Sequence, residues 1–214
     1  MSCSDGKPPL IHEVIRELEA REDAGALTAL VEAAAAEDQF LRRTAIEVIG
    51  RHPHGRELCA VILGALGDRS EYVVRTACEV VAHWELNEAH ERVVALLANV
   101  SRATRRAAIR TLGAIWLDAD FPLIFRIYSC ASEIDVRREA AWVLRRRATS
   151  AHWRTLFEAF EKDELPRHRQ WACELAESFS GPDVLPALRE LSLDVDGHVR
   201  KTALQAIRTL SSRE

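Results

Sequence analysis

An alanine returns every 31 or 32 residues along this chain. Ala45, Ala77, Ala108, Ala140, Ala172 and Ala203 are spaced 32, 31, 32, 32 and 31 residues apart. Each sits in a segment of the same cast: QFLRRTAIEVI, EYVVRTACEVV, RATRRAAIRTL, IDVRREAAWVL, RHRQWACELA and GHVRKTALQAI. A period that regular restricts the chain to architectures built from one small repeated unit. One residue after the anchor come Ile46, Cys78, Ile109, Ala141, Cys173 and Leu204; four after it come Ile49, Val81, Leu112, Leu144, Ala176 and Ile207. Those offsets share a helical face with the anchor. Alanine itself is the size needed where two helices approach closely.

One helix-length before each anchor lies a second apolar run: GALTALVEAAAA, RELCAVILGAL, AHERVVALLANV, PLIFRIYSCA, AHWRTLFEAFEK and DVLPALRELSL. Gly50, Pro53, Gly55, Gly67, Gly113, Pro122, Gly181, Pro182 and Gly197 punctuate the connections. The unit is therefore helix A, short turn, helix B. Such a hairpin cannot bury its apolar faces alone, and stacking does it. The expected fold is all-α: a right-handed α-solenoid, or α-α superhelix, of six hairpins. These span about 24–50, 55–82, 87–113, 120–146, 150–178 and 182–210. The segment PLIHEVIRELEAR, residues 9–21, has one apolar stripe and no partner helix. It reads as an N-terminal cap. Residues 1–8 read as a disordered tail, and residues 9–214 as a single repeat domain.

Composition bounds the function. A net charge of −4 argues against a chain that binds nucleic acid over its whole surface. No apolar run reaches the roughly 18 residues of a membrane span, and the start MSCSDGKPP is unlike a signal peptide. The cysteines Cys3, Cys59, Cys78, Cys130 and Cys173 form no close pairs. Cys78 and Cys173 fall in apolar columns, as reduced core residues of a cytoplasmic protein do.

The segments GDRSEYVVRTACEVVA and LDVDGHVRKTALQAI resemble the HEAT repeat of short bacterial proteins, and in particular the HEAT-like repeats of phycobilisome lyases. That family's repeat reads roughly D-x-x-x-x-V-R-x-x-A-x-x-A-L. Asp68, Asp163 and Asp194 stand nine residues before their anchors, where the family favours Asp; Asn99 stands there in the third copy, and Ala36 and Ala131 depart from the pattern. The resemblance covers about Ala24 to the C-terminus. It implies a HEAT-like, armadillo-like solenoid and says little about activity.

Three residues before the anchor comes an arginine column: Arg42, Arg105, Arg137, Arg169 and Arg200, with Arg75 beside Val74 in the second copy. It lies in the first turn of each B helix, where the dipole disfavours a cation. The resemblance implies a structural ladder, each Arg tying its repeat to an Asp or carbonyls of a neighbouring turn. Asp38, Asp68, Asp135, Asp163, Asp194 and Asp196 are the candidate partners. The alternative is a phosphate-binding ridge. Arg145, Arg146 and Arg147 close a B helix and read as a solvated helix end.

Function in solenoids sits on the concave face lined by the B helices. Offsets −1, +2 and +6 from the anchor are expected to point there. They give Thr44, Glu47 and Arg51; Thr76, Glu79 and His83; Ala107, Arg110 and Ala114; Glu139, Trp142 and Arg146; Trp171, Glu174 and Ser178; and Thr202, Gln205 and Thr209. Charges are mixed, without the basic excess a duplex groove needs. Trp142 and Trp171 occupy these offsets in adjacent repeats, about 8–10 Å apart for packed helices. Trp and Arg dominate interface hot spots. The expected partner site is therefore Arg110, Glu139, Trp142, Arg146, Trp171 and Glu174, flanking an inserted protein or peptide segment. Trp84, Trp116 and Trp153 read as core.

Sharper chemistries find weaker support. HEAT-repeat hydroxylases pair His-Glu motifs at B-helix starts; here His12-Glu13 lies in the cap and His90-Glu91 in an A helix. HEAT-like alkylpurine DNA glycosylases combine concave Trp and Asp residues, and no Asp takes a concave offset. A phycobilin-lyase-like assembly role rests on repeat similarity alone. His52-Pro53-His54 has no neighbouring ligands for a metal, and no Gly-rich phosphate loop or nucleophile motif occurs. The sequence thus predicts a non-enzymatic interaction scaffold or adaptor, with a protein or peptide partner, no cofactor, no metal, no membrane and no nucleic acid.

Overall fold

The structure is a computed structural model and describes residues 12–21, 23–179 and 182–212. The expected tail at 1–8 and the first residues of the cap lie outside them. The cap begins with α1 (His12–Glu17), which runs into a 3₁₀ turn at Leu18–Ala20. The A helices are α2 (Ala24–Ala34), α4 (Cys59–Ala65), α6 (His90–Ala95), α8 (Phe121–Cys130), α10 (Trp153–Phe160) and α12 (Leu185–Leu191). The B helices are α3 (Gln39–Arg51), α5 (Glu71–Trp84), α7 (Arg102–Ala114), α9 (Ile134–Arg147), α11 (Pro166–Phe179) and α13 (Gly197–Ser211). All described regular structure is helical. The A helices are shorter than expected, because α4, α6, α8 and α12 are each entered through a 3₁₀ turn. The turn before α4 is tight: a Cβ on Gly55 would lie 1.9 Å from the Ile49 carbonyl oxygen, so only glycine fits.

The described residues fall into two compact units, one ending at Asp120 and one beginning at Phe121. Each is a stack of three hairpins with its own core.

All six anchor alanines are fully buried. Two columns join the expected core: position −4 (Val73, Thr104, Val136, His168, Val199) and position +3 (Val48, Val80, Thr111, Val143, Leu175, Ala206) are buried as well. Positions −4, 0, +3 and +4 form one continuous stripe, and position +1 widens it toward the neighbouring hairpin. Each buried aliphatic side chain contributes about 1.5–3 kcal/mol. Ile15 and Leu18 are buried, α1 packs on α3, and His52 Nε2 lies 2.7 Å from the Arg21 carbonyl oxygen. Because His52 Nδ1 accepts the His54 N–H at 3.0 Å, Nε2 carries the proton and donates.

Between hairpins runs a polar ladder. Arg42 donates from Nε and Nη2 to both oxygens of Asp68, each at 2.8 Å. Arg169 does the same to Asp194, at 2.6 and 2.9 Å. Arg137 meets Asp163 at 3.2 Å and Glu164 at 2.7 Å. The register is constant: the Arg three before one anchor pairs with the Asp nine before the next. That Asp also turns the chain, since Oδ1 of Asp68, Asp163 and Asp194 accepts the N–H two residues on. Of the other candidate partners, Asp38 and Asp196 instead cap the N-termini of α3 and α13. Arg75 departs from the expected ladder. It sits one residue round the helix, and its guanidinium lies 5.8 Å from the Tyr72 ring, while Val74 fills the column inside the core. Arg105 reaches the Asn99 and Val100 carbonyls, and Arg200 reaches those of Asp194 and Val195.

Candidate functional site

Three of the six residues expected at the partner site have a different setting from the one their offsets suggest. Trp171 is 6% exposed and Glu139 8%, so neither lines an open groove. The cause is general: offset −1 is a flank of the B helix covered by packing, and Thr44 and Thr76 are buried there too. Glu174 is half-buried and occupied, accepting from Nε of Arg145 at 2.8 Å and from its Nη2. Arg145, read as part of a solvated helix end, is therefore a tie between α9 and α11. Arg110 is exposed but belongs to the first unit, whereas the other five belong to the second.

What stays open on the B-helix face of the second unit is Trp142, 36% exposed, with the Arg146 guanidinium 4.8 Å from its ring. Such a contact is worth about 0.5–1 kcal/mol at an exposed site and holds both side chains in place. Arg138, Arg146 and Arg167 are exposed on α9 and α11. Glu139 is buried, and Glu174 is paired with Arg145.

Behind Trp171 lies a buried cluster that the offsets do not reveal. The indole sits between the guanidiniums of Arg145 and Arg167, at 5.6 and 5.5 Å, and stacks on His168 at 5.3 Å. Its Nε1 has no acceptor among the described residues. Tyr128 donates to Asp163, which Arg137 also holds. His168 Nδ1 lies 3.0 Å from Asp163 Oδ2 but off the line a hydrogen bond needs, so that contact is chiefly electrostatic. Burial pushes the His168 imidazole below its ordinary value, against the pull of Asp163. For Asp163 burial acts upward, yet the charge and donors around it outweigh this and hold the carboxyl low. Burial, then Asp163, pushes the Tyr128 phenol up. The imidazole, the carboxylate and the phenol thus sit together between α8, α10 and α11. The one sequence signal was His168 itself, a polar residue in a column of Val, Leu and Thr.

The remaining candidates resolve into structural roles. His90 lies 2.9 Å from Asp120, and His54 lies 3.1 Å from Glu57. No three His, Cys, Asp or Glu side chains cluster as metal ligands among the described residues. Burial pushes the thiols of Cys78 and Cys173 up to about 12, which leaves them inert as nucleophiles near neutral pH. Trp84 is core, as expected, and its Nε1 donates to the Gly50 carbonyl at 3.2 Å. Trp116 and Trp153 are half-buried, and Arg154 stacks on the latter at 4.5 Å. No helix among the described residues is long and apolar enough to cross a membrane.

The repeated hairpin, the buried alanine and the Arg–Asp register find their match in one family: residues 122–208 match the HEAT repeats family. No curated protein matches this chain by sequence. Among solved structures, its HEAT-repeat fold is similar to an archaeal HEAT-like repeats protein from Thermococcus onnurineus NA1 (TM-score 0.56, 14% identity, covering 96% of this chain and 99% of that one). It is also similar to the complex of CpcE and CpcF of phycocyanin lyase from Nostoc sp. PCC7120 (TM-score 0.51, 17% identity, 98% of each chain). A third match is to computationally designed armadillo repeat proteins for modular peptide recognition (TM-score 0.54, 16% identity, 94% of this chain and 100% of that one). At these identities the likeness shows the fold: an all-α HEAT/armadillo-type repeat solenoid, as the period predicts.

Proposed function

We propose that this chain is a non-enzymatic scaffold or adaptor that docks a protein or peptide partner on the B-helix face of its fourth and fifth repeats. The observation that carries the reading is Trp142. A large aromatic ring stands open on α9, stacked on Arg146, and its helix is fastened to α11 by Arg145–Glu174 near one end. A ring already held in place loses little entropy on binding. The Arg146 guanidinium against the ring, with Arg138 and Arg167 exposed on α9 and α11, favours an acidic or polar partner over a basic one. Designed armadillo repeat proteins for modular peptide recognition share the fold, which supports the class of partner. The proposal includes a cytoplasmic location, supported by the unpaired thiols of Cys59, Cys78, Cys130 and Cys173.

The test is affinity capture from the native host, read by mass spectrometry, with Trp142→Ala beside the unchanged chain. Because Trp142 is partly exposed, its loss leaves the melting temperature within a few degrees, while partner capture disappears. Undiminished capture by Trp142→Ala refutes the site. Tight binding to duplex or alkylated DNA at moderate salt instead supports a base-processing enzyme and refutes the scaffold.

A further inference from the structure

The helix that bears Trp142 ends in three consecutive arginines, and the first hydroxyl after them stands in the open. Arg145, Arg146 and Arg147 are followed by Ala148, Thr149 and Ser150. α9 stops at Arg147 and α10 starts at Trp153, so both hydroxyls lie on the connection between two hairpins, and both residues are exposed. Ala148 has already left the helical region, at ψ 132°, and the last turn of a helix frays readily. An exposed hydroxyl with arginines two and three residues before it suits the carboxylate-lined substrate groove of an arginine-directed protein kinase. There the two guanidiniums pair with fixed acids and bring the oxygen up to the phosphoryl donor. Thr149 has Arg147 and Arg146 at those two positions, and no other Ser or Thr of the sequence has an arginine at both.

The surroundings of Thr149 suit a phosphate. Its Oγ1 lies 3.2 Å from His152 Nδ1 and accepts the Ala151 N–H at 3.3 Å. Its carbonyl accepts the N–H groups of His152 and Trp153, each at 3.0 Å, and so starts α10. His152 stands at the N-cap of α10 without a side-chain hydrogen bond to the first turn, so the positive end of the helix dipole meets the loop with no capping side chain. On the other side, across the end of α9, the exposed Arg146 rests on the Trp142 ring at 4.8 Å.

We propose that Thr149 is a phosphorylation site for an arginine-directed protein kinase, and that the phosphate draws Arg146 off Trp142. Thr149 Oγ1 attacks the γ-phosphorus of a nucleoside triphosphate. The bond from that phosphorus to the β-phosphate oxygen breaks, the nucleoside diphosphate leaves with the electron pair, and the hydroxyl proton passes to the kinase's base. The phosphothreonine carries a charge of about −1.5 to −2 near neutral pH and offers three strong acceptor oxygens. A charge-assisted pair with Arg146 is stronger than the exposed cation–π contact it replaces. Modification thus takes the cation from the ring and sets negative charge beside it, which repels an acidic partner. That last consequence rests on the reading of Trp142 as the docking site; the phosphoryl transfer and the movement of Arg146 do not.

The test incubates the folded full chain with the catalytic subunit of a cyclic-nucleotide-dependent protein kinase and magnesium ATP, and maps the product by tandem mass spectrometry. One phosphate enters, on Thr149. Thr149→Ala abolishes incorporation, Arg146→Ala slows it about tenfold or more, and Arg138→Ala, on the same helix, leaves the rate unchanged. In the phosphorylated chain the Trp142 indole N–H resonance, identified by its loss in Trp142→Phe, shifts, while that of the buried Trp84 stays. Phosphorus NMR gives a second ionisation below its ordinary value of about 6, and concentrated urea restores that value. No incorporation, phosphate on Ser150 with Thr149 untouched, or incorporation only into the unfolded chain overturns the site. An unmoved Trp142 resonance, or a second ionisation at its ordinary value, overturns the pairing with Arg146. Neither readout needs a partner, so failure of the docking reading shows separately, as undiminished capture by Trp142→Ala.

Discussion

Removing Arg42 tests the ladder at its most buried rung. The side chains of Arg42 and Asp68 are 6% and 13% exposed. Arg42→Ala leaves the Asp68 carboxylate with the Ser70 N–H and little else, and it strips the Ala36 carbonyl of its donor, while the Glu37 carbonyl keeps Arg69. Breaking a buried pair from one side costs about 3–5 kcal/mol. Water reaches part of Asp68, so the lower end applies, about 3 kcal/mol. For a chain of this length that is roughly 6–12 °C in melting temperature. Asp68→Ala alone, and the double variant, complete a cycle. The double variant buries no orphan charge, so it falls short of the sum of the singles by about 2 kcal/mol. Urea unfolding followed by circular dichroism measures all four proteins. The pH dependence has a definite sign. Burial acts to raise the Asp68 carboxyl, but Arg42 and the Ser70 amide outweigh it and hold it low. Its contribution is thus present above the ordinary carboxylate value and is lost as pH falls through the depressed one. A coupling below about 0.5 kcal/mol, the level of an ordinary exposed ion pair, refutes a structural ladder.

Three further outcomes follow from the structure. His168 is depressed in the folded chain, so the unfolded chain binds more protons below its ordinary value of 6.5. Stability therefore falls as pH drops from 7 toward 5, by at most about 1.4 kcal/mol per unit, and His168→Gln flattens that limb in pH-dependent thermal melts. Trp171→Ala, which empties the space between Arg145, Arg167 and His168, destabilises by about 3 kcal/mol, in contrast to Trp142→Ala; equal losses in urea titrations contradict the burial difference. Glu85 sits at φ 52° after α5, a left-handed position where its N–H meets the Ala82 carbonyl and the next N–H the Val81 carbonyl. Glu85→Gly relieves that conformation and raises stability by up to about 1 kcal/mol, and a lowered melting point contradicts the reasoning.

The hairpin, its period and its anchor were legible because alanine at a helix crossing tolerates no substitute, so the same letter recurs six times. The arginine column was legible for a related reason, since only a planar fork spans two carbonyls and a carboxylate. The outward face was not. Angular offsets from Ala140 and Ala172 locate a side chain around its own helix, but a B helix in a stack is covered on more than one flank. Glu139 and Trp171, one position before those anchors, are enclosed, whereas Trp142, two positions after, is open. Position −4 was missed because its polar members, Thr104 and His168, disguise a core column.

The ladder aspartate performs two tasks, and one position in this chain separates them. Asp68, Asp163 and Asp194 each fold their own turn through Oδ1 while facing an arginine of the preceding hairpin. In the third repeat the position is Asn99, and its Oδ1 still accepts the Ser101 N–H at 2.8 Å, as Asp68 accepts that of Ser70 at 2.7 Å. The facing column there holds Val74, buried in the core and unable to pair with a charge. A carboxylate opposite a valine would be desolvated without a partner, whereas an amide keeps the turn and carries no charge. Where the rung is missing, α5 and α7 are joined by other means: Thr111 Oγ1 donates to the Cys78 carbonyl at 3.1 Å, and Ser101 donates to Glu71. Turn and rung are therefore distinct requirements on one residue. At Asn99 the amide in place of a carboxylate follows from the valine that the previous hairpin presents.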